Sequence, residues 1–349
     1  MKRREHGEKA WFIKGQAMAV DRRSFLHMST LAGVSFFIPK FLSAACGDAG
    51  FSRKKLVVLQ LTGGNDGLNT IVPFRNDIYY RSRPAIAIAK NKVLTLSGEV
   101  GLHPSLKNLY SLYQQGAVSV IQNVGYPAPH RSHHKCIQVW HSGSTDVCTT
   151  GWLGKCLDHR NSKKLFNVDA DCCFALKGER SEYLTSPSHS KASLAEKFGL
   201  IASTIRSASS PDIFYLSHEG YDTHVAQGEV HAGLLAELDE SVGDFVSDLK
   251  RNGQFEDVLI LTISEFGRRV AENEFGGTDH GTANCMFAIS GGLREAGLHG
   301  TAPLLSDLDD GDLKHAIDFR QVYATTLERW LSIAPDAILS QSFTSLDFI

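Results

Sequence analysis

The chain has 349 residues, of which 42% are hydrophobic and 21% are charged, and its formal net charge is −2. This composition is typical of a globular protein with a large core, organised as one large α/β domain or two. With a formal net charge this close to zero, no basic surface argues for nucleic-acid binding. The 15 histidines favour metal chemistry, because several of them lie in the polar clusters described below.

The amino terminus has the features of a twin-arginine export signal in the expected order. Arg22 and Arg23 precede a short apolar stretch, and small residues follow it. We predict a leader over residues 1–45, of which residues 1–17 are an upstream start read as coding. The apolar stretch is shorter than the roughly 20 residues of a spanning helix, and no later segment is predicted to cross a membrane. The predicted location is periplasmic or extracellular, with the twin-arginine machinery as export partner; the alternative is a basic amphipathic leader without an export role.

Five short apolar runs predict strands that are buried on both faces. They are Leu56–Leu61, Ala117–Ile121, Ile213–Leu216, Val258–Ile263 and Cys285–Ile289. Helical patterns alternate with them, and the longest predicts a helix over Glu229–Lys250 with Val230 among its buried residues. The alternation predicts a three-layer α/β/α sandwich with a mostly parallel central sheet. The predicted domain spans 54–349 and contains an irregular insertion around 161–191.

A polar cluster lies beside each of these runs, where an open α/β sheet collects functional groups. The clusters are Gly63–Gly67, His130–His134, Gly220–His224, Ser264–Arg268 and Gly277–Gly281. Their carboxylate and imidazole groups suit a divalent cation, and the predicted metal ligands are Asp66, Asp222, His224, Glu265 and His280. This donor set predicts zinc or manganese, with magnesium or calcium as further candidates, and one or two ions per chain.

Several of these residues also have a structural interpretation. Asp66 can cap a helix, and Glu265 can pair with Arg268 or Arg269. Ser132, at a predicted helix start, is either an N-cap or a nucleophile whose pKa a facing metal lowers. The chain has no Gly-x-Ser-x-Gly elbow, no dinucleotide glycine motif and no P-loop, which disfavours an α/β-hydrolase triad, a dinucleotide cofactor and nucleoside-triphosphate chemistry.

Seven segments together resemble the domain-of-unknown-function 1501 family of exported bacterial proteins. They are Leu59–Asn69, Gly125–Pro127, Arg131–His133, Gly151–Gly154, Asp222–His224, Ser264–Arg268 and Gly277–Gly281. The resemblance runs from about Leu56 to the carboxyl terminus. It implies a branch of the alkaline phosphatase/sulfatase superfamily, with an alkaline phosphatase-like α/β/α fold, one or two divalent metals and a nucleophile at a helix N-terminus.

The resemblance also implies a role for each candidate residue. Asp66 corresponds to the metal-binding aspartate after the first strand, Ser132 to the nucleophile and Glu265 to a carboxylate of the second metal. The implied ligands of the other metal are Asp222, His224 and His280. The superfamily usually has Asp-His where this chain has Glu265 and Phe266, and the sulfatase signature is absent after Ser132, which disfavours formylglycine chemistry.

The leading hypothesis is an exported metal-dependent hydrolase of small-molecule or glycan phosphate or sulfate esters. Arg268, with Arg131, is predicted to hold the nonbridging oxygens, and His133 or His134 is the predicted general acid. The alternative is a non-catalytic envelope protein that retained the fold for binding or assembly. The imidazole that is missing at Phe266 favours this alternative.

Overall fold

The computed structural model describes residues 54–160, 165–169, 173–180, 184–185, 192–207 and 209–349. The predicted leader and parts of the predicted insertion lie outside these residues. The described part belongs to one compact unit, Ser52–Ile349. Among the described helices, none has both the length and the apolar character that crossing a membrane requires.

The described part contains fourteen strands and eight α-helices. The strands are β1 Lys55–Leu61, β2 Ile71–Val72, β3 Leu94–Thr95, β4 Gly101–Leu102, β5 Val118–Gly125, β6 Leu165–Asn167, β7 Leu184–Thr185, β8 Ile213–His218, β9 Val258–Ile263, β10 Asn284–Ile289, β11 Gly297–His299, β12 Leu308–Asp309, β13 Asp312–Leu313 and β14 Ile317–Asp318. The helices are α1 Gly67–Thr70, α2 Asp77–Ser82, α3 Lys107–Gln114, α4 His133–Ser142, α5 Trp152–Arg160, α6 Leu194–Ile205, α7 Gln227–Arg251 and α8 Phe319–Thr325, which a π-helical turn, Thr326–Trp330, follows.

Nine strands form the central sheet, in the order β11-β5-β10-β9-β1-β8-β6-β7, and β14 also pairs with β5. Strand β10 runs antiparallel to β5 and β9, and the other pairs of this sheet are parallel. In the centre, Leu56 of β1 lies opposite Ile213 of β8 and Leu259 of β9. The parallel direction brings the carboxyl ends of β1, β5, β8 and β9 to one edge of the sheet.

Alternate residues of each central strand face opposite layers of helices. Leu56 and Val58 belong to a core that α4, α5 and α8 cover. Val57 and Leu59 face the other side, which α3, α6 and α7 cover. All four side chains are 0% exposed, which explains why the strand sequences have apolar residues on both faces rather than on alternate positions only. The predicted three-layer α/β/α sandwich with a mostly parallel sheet is confirmed.

Two local features differ from the sequence predictions. Val230 is 49% exposed, so its predicted place on the buried stripe is wrong. The buried face of α7 begins with Gln227, His231 and Leu235, at intervals of four residues, and Val230 lies beside that face. Within the predicted insertion 161–191, strands β6 and β7 pair in parallel at the edge of the sheet.

Candidate metal centre

Five connecting segments meet at the carboxyl-end edge of the sheet. Backbone hydrogen bonds join them in pairs, from Thr62 N to His218 O at 2.8 Å and from Gly281 N to Gly267 O at 2.9 Å. Gly63 has a φ of +115°, and a Cβ there would lie 2.8 Å from the carbonyl carbon of Tyr221. Only glycine adopts this backbone without strain and lets the two loops approach so closely.

Four side chains bring potential metal-binding atoms together, and we call them the donor cluster: His133, Asp222, His224 and His280. His280 Nε2 lies 2.9 Å from His224 Nε2 and 3.1 Å from Asp222 Oδ1. His224 Nε2 lies 3.0 Å from the same Asp222 oxygen. His133 Nε2 lies 3.1 Å from His280 Nε2 and 3.5 Å from Asp222 Oδ2. The structure thus assembles the three residues assigned to one metal and adds His133.

Each histidine of the donor cluster has an acceptor at its other ring nitrogen. His133 Nδ1 lies 2.8 Å from Glu265 Oε1, and His280 Nδ1 lies 2.9 Å from the carbonyl oxygen of Arg131. An Nδ1–H that donates to these oxygens leaves Nε2 with a lone pair. The hydrogen bond to Glu265 also raises the pKa of His133, against the effect of its partial burial.

The third histidine is held by a carboxylate in the same way. His224 Nδ1 lies 3.3 Å from Asp279 Oδ1. Asn273 Nδ2 donates to Asp279 Oδ1 at 3.2 Å and to the carbonyl oxygen of His224 at 3.0 Å. The Asn273 hydrogen bond is the main reason that the pKa of Asp279 is lowered. This carboxylate therefore stays ionised and accepts a hydrogen bond from the imidazole N–H.

The arrangement of the donor cluster fits a divalent cation. His280 Nε2 faces both His133 Nε2 and His224 Nε2, and lone pairs that face each other repel unless positive charge lies between them. A proton bridges one pair of nitrogens at a time, whereas a cation can accept several nitrogens together with a carboxylate oxygen. Imidazole donors suit zinc better than calcium or magnesium, which prefer oxygen ligands.

Asp222 supplies the negative charge of the donor cluster. Burial acts to raise its pKa, but the hydrogen bond from Arg268 and the Arg268 charge outweigh that effect and lower the pKa to about 2. Arg268 Nη2 donates to Asp222 Oδ1 at 2.7 Å. The carboxylate is therefore ionised and oriented before any ligand arrives.

Arg268 does not have the exposure that a substrate clamp needs. Its side chain is 0% exposed and donates to the carbonyl oxygens of Gly64, Thr278 and Tyr221 at 2.8, 2.8 and 2.9 Å, as well as to Asp222. The guanidinium binds the loops to one another, because their carbonyl groups end up buried and need donors. The structure therefore places Arg268 behind Asp222, and does not support the predicted contact with nonbridging oxygens.

Arg131, the second predicted clamp, is also engaged with protein partners. Its Nε donates to Asp312 at 2.6 Å, and its Nη2 donates to Asp310 at 3.1 Å. Arg269 pairs with the same two aspartates. The contribution of Arg131 to the donor cluster is its backbone carbonyl, which holds His280.

Glu265 lies directly behind the donor cluster and is 2% exposed. Its Oε1 accepts from the Gly63 N–H at 2.8 Å and from His133 Nδ1. Its Oε2 is buried and has no hydrogen-bond partner among the described residues. The structure pairs Glu265 with His133 instead of with Arg268 or Arg269. The contact is to His133 Nδ1, the ring nitrogen that faces away from the other donors.

Asp66 is not brought to the donor cluster. It is 1% exposed and caps α1, with Oδ1 accepting from the N–H groups of Leu68 and Asn69 at 3.1 and 3.3 Å. Its Oδ2 accepts from Arg83 Nη1 at 2.6 Å and from Gln227. Burial acts to raise the pKa of Asp66, but the charge of Arg83 holds it below its ordinary value.

The capping interpretation therefore describes Asp66 better than the predicted ligand role, because both of its oxygens have protein partners. Arg83, its counterion, has no signal in the sequence. It lies 17 residues from Asp66, at the end of the short helix α2, and no motif links the two positions.

Ser132 occupies the N-cap position of the ten-residue helix α4 and is exposed. Its side chain makes no capping hydrogen bond, so Ser132 is the N-cap residue by position only. One sequence neighbour, His133, belongs to the donor cluster, and the other, Arg131, holds His280 through its backbone carbonyl. The hydroxyl thus lies at a helix N-terminus, on the segment that carries two of the cluster contacts.

Fold and site together define an α/β/α protein with a histidine and aspartate cluster at the carboxyl edge of its sheet. The model of the family described as "Protein of unknown function (DUF1501)" matches residues 168–339 of this chain. The match includes Asp222, His224, Glu265 and His280, while Ser132 precedes it. A search of curated proteins gives no match at the required significance.

Three solved structures overlap with most of the chain at low identity. A protein in the alkaline phosphatase superfamily from Vibrio parahaemolyticus is 10% identical, with a TM-score of 0.47 over 84% of this chain and 71% of that one. The C-terminal periplasmic domain of EcEptC from Escherichia coli is 10% identical, with a TM-score of 0.47 over 85% and 90%. Ps i-CgsB, in complex with k-i-k-neocarrahexaose, is 12% identical, with a TM-score of 0.47 over 84% and 75%.

Proposed function

We propose that this protein is a metal-dependent hydrolase of phosphate or sulfate esters that acts in the periplasm or outside the cell. The observation that carries the proposal is the donor cluster, in which His133 Nε2 and His224 Nε2 each lie within 3.5 Å of His280 Nε2 and of an Asp222 oxygen. Asp222, His224 and His280 would hold the cation, which we take to be zinc or manganese.

Ser132 is the nucleophile of the proposed reaction. Its oxygen would bond to phosphorus or sulfur and lose its proton, while the ester bond breaks and the leaving alcohol takes up a proton. Water would then release phosphate or sulfate from the serine. A bound divalent cation would supply positive charge. This charge favours the ionised hydroxyl and stabilises the negative charge that develops on the ester oxygens.

The residues behind the donor cluster keep it ready for this reaction. Arg268 fixes the Asp222 carboxylate, and the Arg131 carbonyl fixes the His280 ring. Such fixed groups lose little freedom when the substrate binds, which lowers the cost of reaching the transition state. We propose small-molecule or glycan esters as the substrates, because the donor cluster is partly exposed to solvent.

A second candidate function is metal binding without hydrolysis, in an envelope protein used for binding or assembly. The engagement of Arg268 and Arg131 favours it, since their guanidinium groups are hydrogen-bonded to protein oxygens. A hydrolase of anionic esters would then rely on the cation and on backbone groups alone to hold the nonbridging oxygens.

Hydrolysis assays separate the two candidates. Purified protein would be loaded with Zn²⁺ or Mn²⁺ and given 4-nitrophenyl phosphate and 4-nitrophenyl sulfate in parallel. We expect hydrolysis of one of them, and its loss in Ser132→Ala. Ser193→Ala is the matched control, because Ser193 is an N-cap serine with a capping bond on α6. Metal binding without hydrolysis of either ester would favour the second candidate, and equal rates for wild type and Ser132→Ala would remove Ser132 from the mechanism.

A further inference from the structure

We propose that His133 is a ligand of the cation in the donor cluster, not a general acid, and that Glu265 is its positioning residue, not a metal ligand. This inference rests on the proposed metal site and adds to it one ligand and one supporting carboxylate. It reassigns two residues whose roles the sequence predicted differently.

The distances around His133 are those expected of a metal ligand. In a tetrahedral zinc site with bonds of about 2.0–2.1 Å, neighbouring donor atoms lie about 3.3 Å apart. His133 Nε2 lies 3.1 Å from His280 Nε2 and 3.5 Å from Asp222 Oδ2. The donor atoms of these three residues all lie within 4.8 Å of one another. Only small adjustments would place them around one ion.

The orientation of the His133 ring argues against a role as general acid. An acid needs a protonated nitrogen that faces the leaving oxygen. Nδ1 of His133 faces Glu265, and Nε2 faces His280 and Asp222, so both nitrogens are directed at protein groups. A proton on Nε2 would occupy the space between the imidazoles that the cation needs.

The contacts of Glu265 explain how His133 is held. Its Oε1 accepts both from His133 Nδ1 and from the backbone N–H of Gly63, so the carboxylate is fixed from two sides. A carboxylate on the outer nitrogen of a ligating histidine fixes its tautomer and makes the other nitrogen a better donor. Because the carboxylate is almost fully buried, its charge favours a cation across the imidazole ring.

Phe266 supports the same arrangement. Its ring centroid lies 4.7 Å from that of His133 and 4.6 Å from that of His280, and the side chain is 1% exposed. Where the resemblance leads one to expect an imidazole, this chain therefore has an apolar ring that packs against two of the histidines. Packing of this kind limits the rotation of both rings and keeps their Nε2 atoms directed at each other.

Metal binding tests the assignment without reference to activity. Zinc affinity would be measured by titration calorimetry, and Co²⁺ binding by visible absorption, for the full-length wild type, His133→Ala and Glu265→Gln. We expect His133→Ala to weaken zinc binding by more than about 100-fold and to change the Co²⁺ spectrum, because one nitrogen ligand is lost. Glu265→Gln should weaken binding by about 10- to 100-fold with an unchanged stoichiometry and a similar spectrum, since the ligands remain.

Two matched controls accompany these variants. His134→Ala removes an exposed imidazole one residue along the same helix. Glu237→Gln alters a carboxylate that also pairs with a histidine, His218 at 3.3 Å, but lies outside the donor cluster. Both controls should bind zinc as the wild type does, and thermal melting would verify that all variants are folded.

The outcomes distinguish this inference from the proposed function. If the wild type binds no zinc, manganese or cobalt, the metal site itself is refuted, and the inference with it. If the wild type binds metal and His133→Ala binds it equally well with the same Co²⁺ spectrum, only the ligand role of His133 is overturned. A Glu265→Gln variant that loses one equivalent of bound metal would show that Glu265 is a ligand.

Discussion

Replacing Asp66 with asparagine tests whether this residue stabilises the fold or binds a metal. The change keeps the size of the side chain and an oxygen that can cap α1, but removes the charge opposite Arg83. Both side chains of this ion pair are 0% exposed, and their charged atoms lie 2.6 Å apart. The new side-chain amide would also direct its N–H groups at the guanidinium or at the Gln227 amide, which are themselves donors.

The expected cost is large, because a buried guanidinium without its counterion is unfavourable. Removing one partner of a buried pair costs about 3–5 kcal/mol in the free energy of unfolding. With a shift of about 2 °C per kcal/mol for a domain of this size, the melting temperature should fall by roughly 6–10 °C. Adding Arg83→Met to Asp66→Asn removes the uncompensated charge, so the double variant should be more stable than the sum of the two single changes implies.

The assay is thermal and urea unfolding of the four proteins of this cycle, together with zinc titration. Asp66→Asn should retain a zinc affinity close to that of the wild type, measured below its melting temperature, because both Asp66 oxygens have protein partners. A variant that keeps its stability but loses zinc binding would refute this reasoning and restore Asp66 as a ligand.

Three further predictions concern a glycine, pH and the cation. Gly63→Ala should reduce both stability and zinc affinity, because the added Cβ would clash with the backbone nitrogen of Asp222 and the carbonyl carbon of Tyr221. Gly253→Ala, with a φ of +64° and open space around it, should cost only about 1–2 kcal/mol. If both variants lose the same free energy of unfolding in urea, the close approach of the two loops at Gly63 does not contribute to stability. Acid should destabilise the protein between about pH 6.5 and pH 4, because burial lowers the pKa of His103 and His231 to about 4 and that of His141 to about 3. The unfolded chain then binds more protons than the folded one as the pH falls through this window. A urea midpoint that is equal at pH 7 and pH 5 would contradict the predicted loss of stability. Elemental analysis of protein purified without chelator should give one zinc or manganese per chain, because the described residues form one convergent donor cluster; two ions per chain would show that a second site exists.

Sequence patterns alone are enough to predict the layers of the fold and the edge of the sheet at which the site lies. Runs such as Val258–Ile263 have apolar residues on both faces of the strand, which requires cover on both faces and hence helices on both sides. Because parallel strands share one carboxyl edge, the segments with Asp222, His224 and His280 could be assigned to one place from their position after or before these runs.

Only the folded structure shows which oppositely charged side chains pair with each other. Local sequence does not contain that information, because the partners are far apart in the chain: 17 residues separate Arg83 from Asp66, 46 separate Arg268 from Asp222, and 132 separate His133 from Glu265. A buried charge pairs with whichever opposite group the packing brings within hydrogen-bond distance, and that choice depends on the loops of the whole sheet edge. This is why the sequence predicted Asp66 and Arg268 as exposed to a ligand, although the folded chain buries both against other protein groups.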